Sequence, residues 1–305
     1  MEKRHIIGGA AVTEELYPGF HFSRASYLLA LLRPEIIKDL DLQRHGLKWF
    51  VREPHAFTPL LDDNRYLLLG SNAKNNLDSI AQFSKADAMK YDQYNKEMEV
   101  LADAITHIMT SMPVYESSTF KETFQTLNQV RKLSKEVGYN FEQLHEVATA
   151  PMSKVLNKWF ESEPLKACLA TDAVIGAMLS PQTPGSGYVL LHHVMGGVEG
   201  HKGAWAYVEG GMGGVSLAIA KAFKEAGGDI YTDCPTDQIL VDNGKVKGLR
   251  LADNSEVHAN TVLANPTPRI TYEQLVKPGN FQFKYQSSLL ILTQNFTIDD
   301  SISTF

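Results

Sequence analysis

Two textures alternate along this chain: short apolar runs punctuated by glycine, and a long middle stretch with helical spacing. Between Pro34 and His45, Ile36, Ile37 and Leu40 follow a proline near the start and precede Gly46, which predicts a short capped helix. Leu47 to Val51 reads as a strand, and Leu60 to Leu69 as a hairpin whose Asp62-Asp63-Asn64-Arg65 turn separates two apolar arms. From Ser84 the period lengthens. Tyr94, Met98, Leu101, Ile105 and Ile108 recur at spacings of four and three behind a Ser84/Asp87 capping box, predicting a long amphipathic helix with its Met and aromatic stripe in the core. Phe120 to Val155 continues in helical style, with a fresh start at Pro151.

The short period returns after Ala204. Ala204 to Val208 is strand-like, Gly210 to Gly214 is a turn, Val215 to Ala226 a helix and Ile230-Tyr231-Thr232 a second strand, a βαβ outline. Gly211-x-Gly213-x-x-Ser216 nearly matches a dinucleotide fingerprint, with Asp233 where the ribose acid belongs. Ser216 in place of the third glycine, and Cys234-Pro235 directly after the acid, argue against a nicotinamide site on this turn. Three antiparallel strands are then expected at Ile239 to Val241, Val246 to Leu251 and Val257 to Leu263, joined by Asp242-Asn243-Gly244 and Asp253-Asn254-Ser255.

The balance of 29 basic and 35 acidic residues, net charge -6, removes any general electrostatic pull toward nucleic acid or anionic lipid. The apolar run from Tyr27 stops at Arg33, far short of the roughly 20 residues a membrane span takes. Cys168 and Cys234 form no C-x-x-C pair, so dithiol redox chemistry is not expected. His192, His193 and His201 have only Glu199 nearby and match no ligand spacing, which predicts no metal site. There is no G-x-S-x-G, H-E-x-x-H or Walker loop. The single candidate for proton handling is His193, with Tyr188, Trp205 and Tyr207 as ring-lining aromatics; ordinary packing accounts for the same residues.

At the start of the chain, Glu2 precedes Gly8-Gly9. A carboxylate there suits the vicinal hydroxyls of a ribose, and paired glycines let backbone approach a phosphate or sugar; the same residues also make an ordinary surface turn. Three segments give the chain a family resemblance: Gly8 to Glu15 with Pro18 to Tyr27, Phe160 to Lys166 with Ser180 to Tyr188, and the glycine-rich stretch from Gly196 to Gly214. They resemble the phytoene-dehydrogenase-like branch of the flavin amine oxidase superfamily.

That resemblance implies an α/β fold: a discontinuous, partial FAD/NAD(P)-binding Rossmann-like domain around a parallel sheet. It implies FAD-binding segments at 1-60 and 204-268, an inserted, mostly helical substrate domain over 61-203, and the start of the substrate-domain return over 269-305. The implied cofactor is FAD, held by Glu2, Gly8, Gly9, Ala10, Thr236 and Asn265, with Thr236 standing where the family usually has valine. The implied chemistry is dehydrogenation of a small apolar or amine-like substrate by hydride transfer to flavin. The alternative is a non-enzymatic or regulatory protein, with a protein partner, that keeps the fold without the cofactor. Mitochondria are the implied location, with the cytoplasm as alternative. The family's N-terminal strand and glycine loop and its C-terminal flavin segment are not matched, so weak FAD binding or none, and an incomplete sheet edge, are expected of this chain.

Overall fold

A computed structural model describes residues 1–61, 64–109, 119–121, 123–125, 127–128, 131 and 141–277; within 107–109 it describes backbone alone. Gly19 turns Thr13–Tyr17 (β1) back onto Phe20–Ser23 (β2). Pro34–Asp39 (α1) is shorter than the sequence pattern suggests, because the chain leaves the helix through Asp41 at φ 46° to carry Leu42 and Leu47 into the interior, where each is at most 1% exposed. Trp49–Val51 (β3) follows, and then the predicted hairpin forms from Ala56–Pro59 (β4) and Tyr66–Leu69 (β5), pairing Ala56 with Leu69 and Pro59 with Tyr66. Its first arm lies upstream of the expected Leu60-Leu61, and Leu61 is fully exposed.

The helical layer comprises Ala73–Ala81 (α2), Lys85–Met109 (α3), Phe141–Thr149 (α4), Met152–Trp159 (α5), Glu163–Ala170 (α6) and Ser186–Val194 (α7). The predicted stripe of α3 is its buried face: Tyr94, Met98, Leu101 and Ile105 all pack into one core with Met152, Leu156, Leu165 and Leu191. The side chain of Ile108, most of the expected helical stretch from Phe120, and the tail after Lys277 lie outside the described residues. Ser186 ties two helices together, since its hydroxyl accepts from the Met152 amide at 2.8 Å and donates to the Pro181 carbonyl at 3.2 Å.

Gly197–Val198 (β6) and His201–Lys202 (β7) make a small hairpin, and Ala206–Val208 (β8) pairs antiparallel with β3 across the chain, Trp49 opposite Val208 and Val51 opposite Ala206. Leu29 bridges to the other side of Ala206. Gly213–Glu225 (α8) covers this unit and shares a second core with it, formed by Leu29, Leu42, Leu47, Ala206, Val208, Val215 and Ala218.

Thr236–Asp242 (β9), Lys245–Leu251 (β10) and Glu256–His258 (β11) form the expected meander in the order β11-β10-β9. The last strand stops at His258 rather than Leu263. A register shift between Val246 and Gly248, where β10 pairs with β9, bends the strand that β11 follows.

Every ladder among the described residues is antiparallel, so the expected parallel pairing is not among them. Ile230-Tyr231-Thr232 is not a strand: Asp233 adopts φ 53° and Pro235 lacks a donor, and the segment is instead stitched irregularly to the N-terminus. Glu2 N–H donates to Tyr231 O at 2.8 Å, Cys234 N–H to Glu2 O at 2.9 Å and Asp233 N–H to Arg4 O at 3.1 Å.

Candidate functional site

The N-terminal glycine turn docks on the start of α8. Gly8 and Gly9 have φ 121° and 56°, and a Cβ on Gly8 would run into the Ala11 carbonyl and come within 2.7 Å of Ser216 Oγ. The Ser216 hydroxyl donates to Ala11 O at 2.7 Å, so the residue that breaks the Gly211 fingerprint serves to clamp the other glycine turn. Thr13 Oγ1 accepts the Gly213 N–H and Ser23 Oγ the Met212 N–H, each at 3.0 Å. A helix N-terminus attracts anions through amides that lack acceptors. Here β1 and β2 already supply acceptors to Met212 and Gly213, and a Cβ on Gly211 would collide with Thr13. The Gly211 turn is therefore closed as a second dinucleotide site.

The Gly8 turn has the opposite character. No acceptor among the described residues takes the Gly9 or Ala10 amides, both residues are exposed, and a Cβ on Gly9 would touch nothing. Consecutive open amides in a positive-φ turn form an anion-accepting concavity. Arg4 and Arg24 share the single carboxylate of Glu14, Arg24 at 3.2 Å. Burial opposes ionisation of Glu14, but the two arginines outweigh it and hold its carboxyl below the usual range.

Glu2 Oε1 accepts the Arg4 N–H at 2.8 Å, and no donor among the described residues reaches Oε2. Because the Glu2 backbone is bonded to Tyr231 and Cys234, the structure sets Glu2 beside the entry to β9, where Thr236 pairs with Leu251. Glu2 and Thr236 are thus brought together at one end, and Gly8, Gly9 and Ala10 belong to the same N-terminal segment. Asn265 is exposed in an irregular stretch beyond β11. These features fit an adenine nucleotide: a free carboxylate oxygen for ribose, open amides for phosphate and strand backbone for the base.

His193 lies elsewhere, beyond the other end of β8. It is 9% exposed, its Nδ1 sits 2.8 Å from the Val189 carbonyl, and its ring packs 5.8 Å from that of Trp205. Arg52, whose N–H donates to Trp205 O at 2.7 Å, places its guanidinium 4.9 Å above the Trp205 ring, and its Nε is buried without an acceptor among the described residues. Burial pushes the half-buried Asp172 carboxyl up, against the pull of His193 and Arg52. Tyr188 stacks on His192, while Tyr207 is half-exposed on β8 and apart from this cluster.

Sequence reasoning missed a groove of about 830 Å³ on the far side of His192, walled by the Leu29–Asp41 segment, Trp49 and the β6–β7 hairpin. Its floor is fixed by glycine. Gly197 N–H donates to Ala30 O at 2.8 Å, and a Cβ on Gly196 would stand 2.8 Å from that same oxygen. The Gly196-Gly197 pair was the available signal, but its meaning depends on a partner more than 160 residues earlier in the chain. Among the described residues no group of three His, Cys, Asp or Glu side chains converges as a metal site, and no helix is long and apolar enough to cross a membrane.

The class to which these features point is the α/β fold of putrescine oxidase: a solved structure of a double mutant of that enzyme matches with TM-score 0.55 at 15% identity, over 94% of this chain and 56% of that one. The particular resemblance is to pyridine nucleotide-disulfide oxidoreductase domain-containing protein 2 of Rattus norvegicus, 48% identical over 298 residues, covering 92% of this chain and 51% of that protein. One of the limonene dehydrogenase subunits of Castellaniella defragrans is 22% identical over 289 residues, covering 92% of this chain and 49% of that protein. The chain spans about half the length of the curated relatives it matches. No protein-family model matches it.

Proposed function

We propose that this protein is an FAD-dependent oxidoreductase that dehydrogenates a small apolar or amine-like substrate. The observation that carries the reading is the pair of open amides at Gly9 and Ala10, in a turn locked by Ser216 on the same N-terminal segment as Glu2. When bound, the flavin supplies a hydride acceptor and the difficult step of the chemistry. Glu2 Oε2 would hold the ribose hydroxyls, the Gly8-Gly9-Ala10 backbone would receive phosphate, the Thr236 backbone would serve the base, and Asn265 would stand on the return toward the cofactor. His193, held by Val189 and Trp205, is the group offered for proton handling. The likeness to a limonene dehydrogenase supports an apolar substrate, and mitochondria are the proposed location.

Hydrogen exchange tests the nucleotide site directly. Millimolar FAD is expected to slow exchange at the Gly9 and Ala10 amides, and Glu2→Gln to weaken that protection about tenfold, the loss of one charge-assisted hydrogen bond. Absence of protection would support a binding-only relative of the fold and overturn the reading. Protection of the Gly211 turn by NAD would overturn it in favour of a nicotinamide enzyme.

A further inference from the structure

The groove beside His192 carries a more specific statement about ligand chemistry. Apolar side chains make its walls, including Leu29, Leu32, Ile37 and Met195, and Trp49 closes one side with its Nε1 donating to Glu199 at 3.1 Å. The charges on the groove lining balance: Arg33, Lys38 and Lys202 stand against Glu35, Asp41 and Glu199, with Arg33 paired to Glu35 at 3.3 Å. Such a rim neither draws in nor excludes a charged head group; a neutral ligand loses least hydration there.

His192 is the one imidazole on the groove wall held between two rings. Tyr188 stacks on it at 6.4 Å and His193 meets it edge-on at 5.8 Å. Its Nδ1 is shut off from solvent and has no partner among the described residues, which leaves Nε2 as the ring nitrogen open to the groove. Burial, reinforced by His193, holds its pKa below the usual histidine value, so the ring is neutral at pH 7 and carries one proton. A buried donor without a partner is rarer and costlier than a buried acceptor without one, so we assign that proton to Nε2, the nitrogen left for the groove.

We propose that this groove binds a neutral, elongated apolar molecule bearing one carbonyl group, its chain along Leu32, Ile37 and Met195 and its oxygen accepting a hydrogen bond from His192 Nε2. This deepens the dehydrogenase reading by giving it a substrate class, an apolar ester or ketone rather than an amine or a bare hydrocarbon. It also assigns the ligand contact to His192, with His193 behind it.

Calorimetric titration of the flavin-free chain with methyl laurate, dodecane and dodecylamine separates the two ideas. Methyl laurate is expected to bind about tenfold more tightly than either of the others, the worth of one hydrogen bond. His192→Phe, which keeps the stacked ring, should bring methyl laurate down to the dodecane level and leave dodecane unchanged; His192→Gln, which keeps an N–H donor, should retain most of the preference. Leu31→Trp, at a half-exposed position on the groove wall, should weaken all the probes while leaving the circular dichroism spectrum intact. Dodecylamine binding as tightly as methyl laurate overturns the proposal, as does methyl laurate binding that is unchanged in His192→Phe or in Leu31→Trp. If methyl laurate binds as expected but FAD protects nothing, the flavin reading fails and the ligand assignment stands.

Discussion

Asp87 is 1% exposed, yet it is ionised and serves a helix other than its own. The sequence pattern makes it the acid of a capping box, and half of that box forms: the Asp87 N–H donates to Ser84 Oγ at 3.0 Å. The carboxylate instead turns to the start of α6, accepting from the Glu161 and Ser162 amides at 2.9 Å each and from the Ser162 hydroxyl at 2.6 Å. Burial alone would raise its pKa, but these three donors, Ser162 foremost, leave it below the ordinary aspartate value. A depressed folded-state pKa means that the carboxylate's stabilisation is complete above the unfolded value of about 3.9 and is lost as pH falls through the folded one. Asp87→Asn is expected to lower stability at pH 7 by about 2 kcal/mol in urea titration, because its NH2 group would face a donor where a carboxylate oxygen stood, the Glu161 amide in one orientation and the two Ser162 groups in the other. The gap between wild type and variant should close in acid; a gap that stays constant down to pH 2 would rule out the ionised carboxylate as its source. Ser84 and Asp87 were legible as a helix start, but the second use of Asp87 was not, since Glu161 and Ser162 are more than 70 residues away along the chain.

At the scale of elements, turn chemistry was the most legible layer. Asn243 and Gly244 at φ 50° and 72°, and Asn254 at 68°, take the left-handed geometry their side chains tolerate, and the meander forms in the predicted order. The β3–β8 pairing was hidden, because nothing local in Trp49 to Val51 specifies Ala206 to Val208 as its partner. The same limit explains the misread second strand after α8: Ile230 to Thr232 has strand-like composition, but Asp233 and Pro235 divert its hydrogen bonds to Glu2 and Arg4. The start of α8 was legible as a glycine turn opening a helix, while its caps, Thr13 and Ser23, come from a hairpin near the other end of the sequence. Thr13→Val removes one of these acceptors. It should cost about 1 kcal/mol, typical of a lost helix cap, and speed exchange at the Gly213 amide selectively. Unchanged Gly213 exchange would show that the cap contributes nothing.

At the scale of the whole molecule, the described residues form two apolar cores with no residue in common, one inside the helical layer and one between α8 and the β3–β8 pair. Separate cores of this kind need not melt together. Calorimetry is expected to resolve two transitions. Leu165→Ala, at a fully buried site in the helical core, should lower one of them by about 2–5 kcal/mol of stability, and Val215→Ala should move the other. One transition displaced as a unit by both substitutions would show the cores to be a single cooperative block.

The clamp on the glycine turn spans 189, 200 and 205 positions of sequence, from Ser23 to Met212, Thr13 to Gly213 and Ala11 to Ser216. A ribosome extends a chain at roughly 5–20 residues per second, so the opening hairpin waits on the order of ten seconds before its other half exists. During that interval Thr13 and Ser23 are without the helix they cap, and the locally wired helical layer has time to form first. The Gly8 turn thus leaves the ribosome 205 residues ahead of the serine that clamps it.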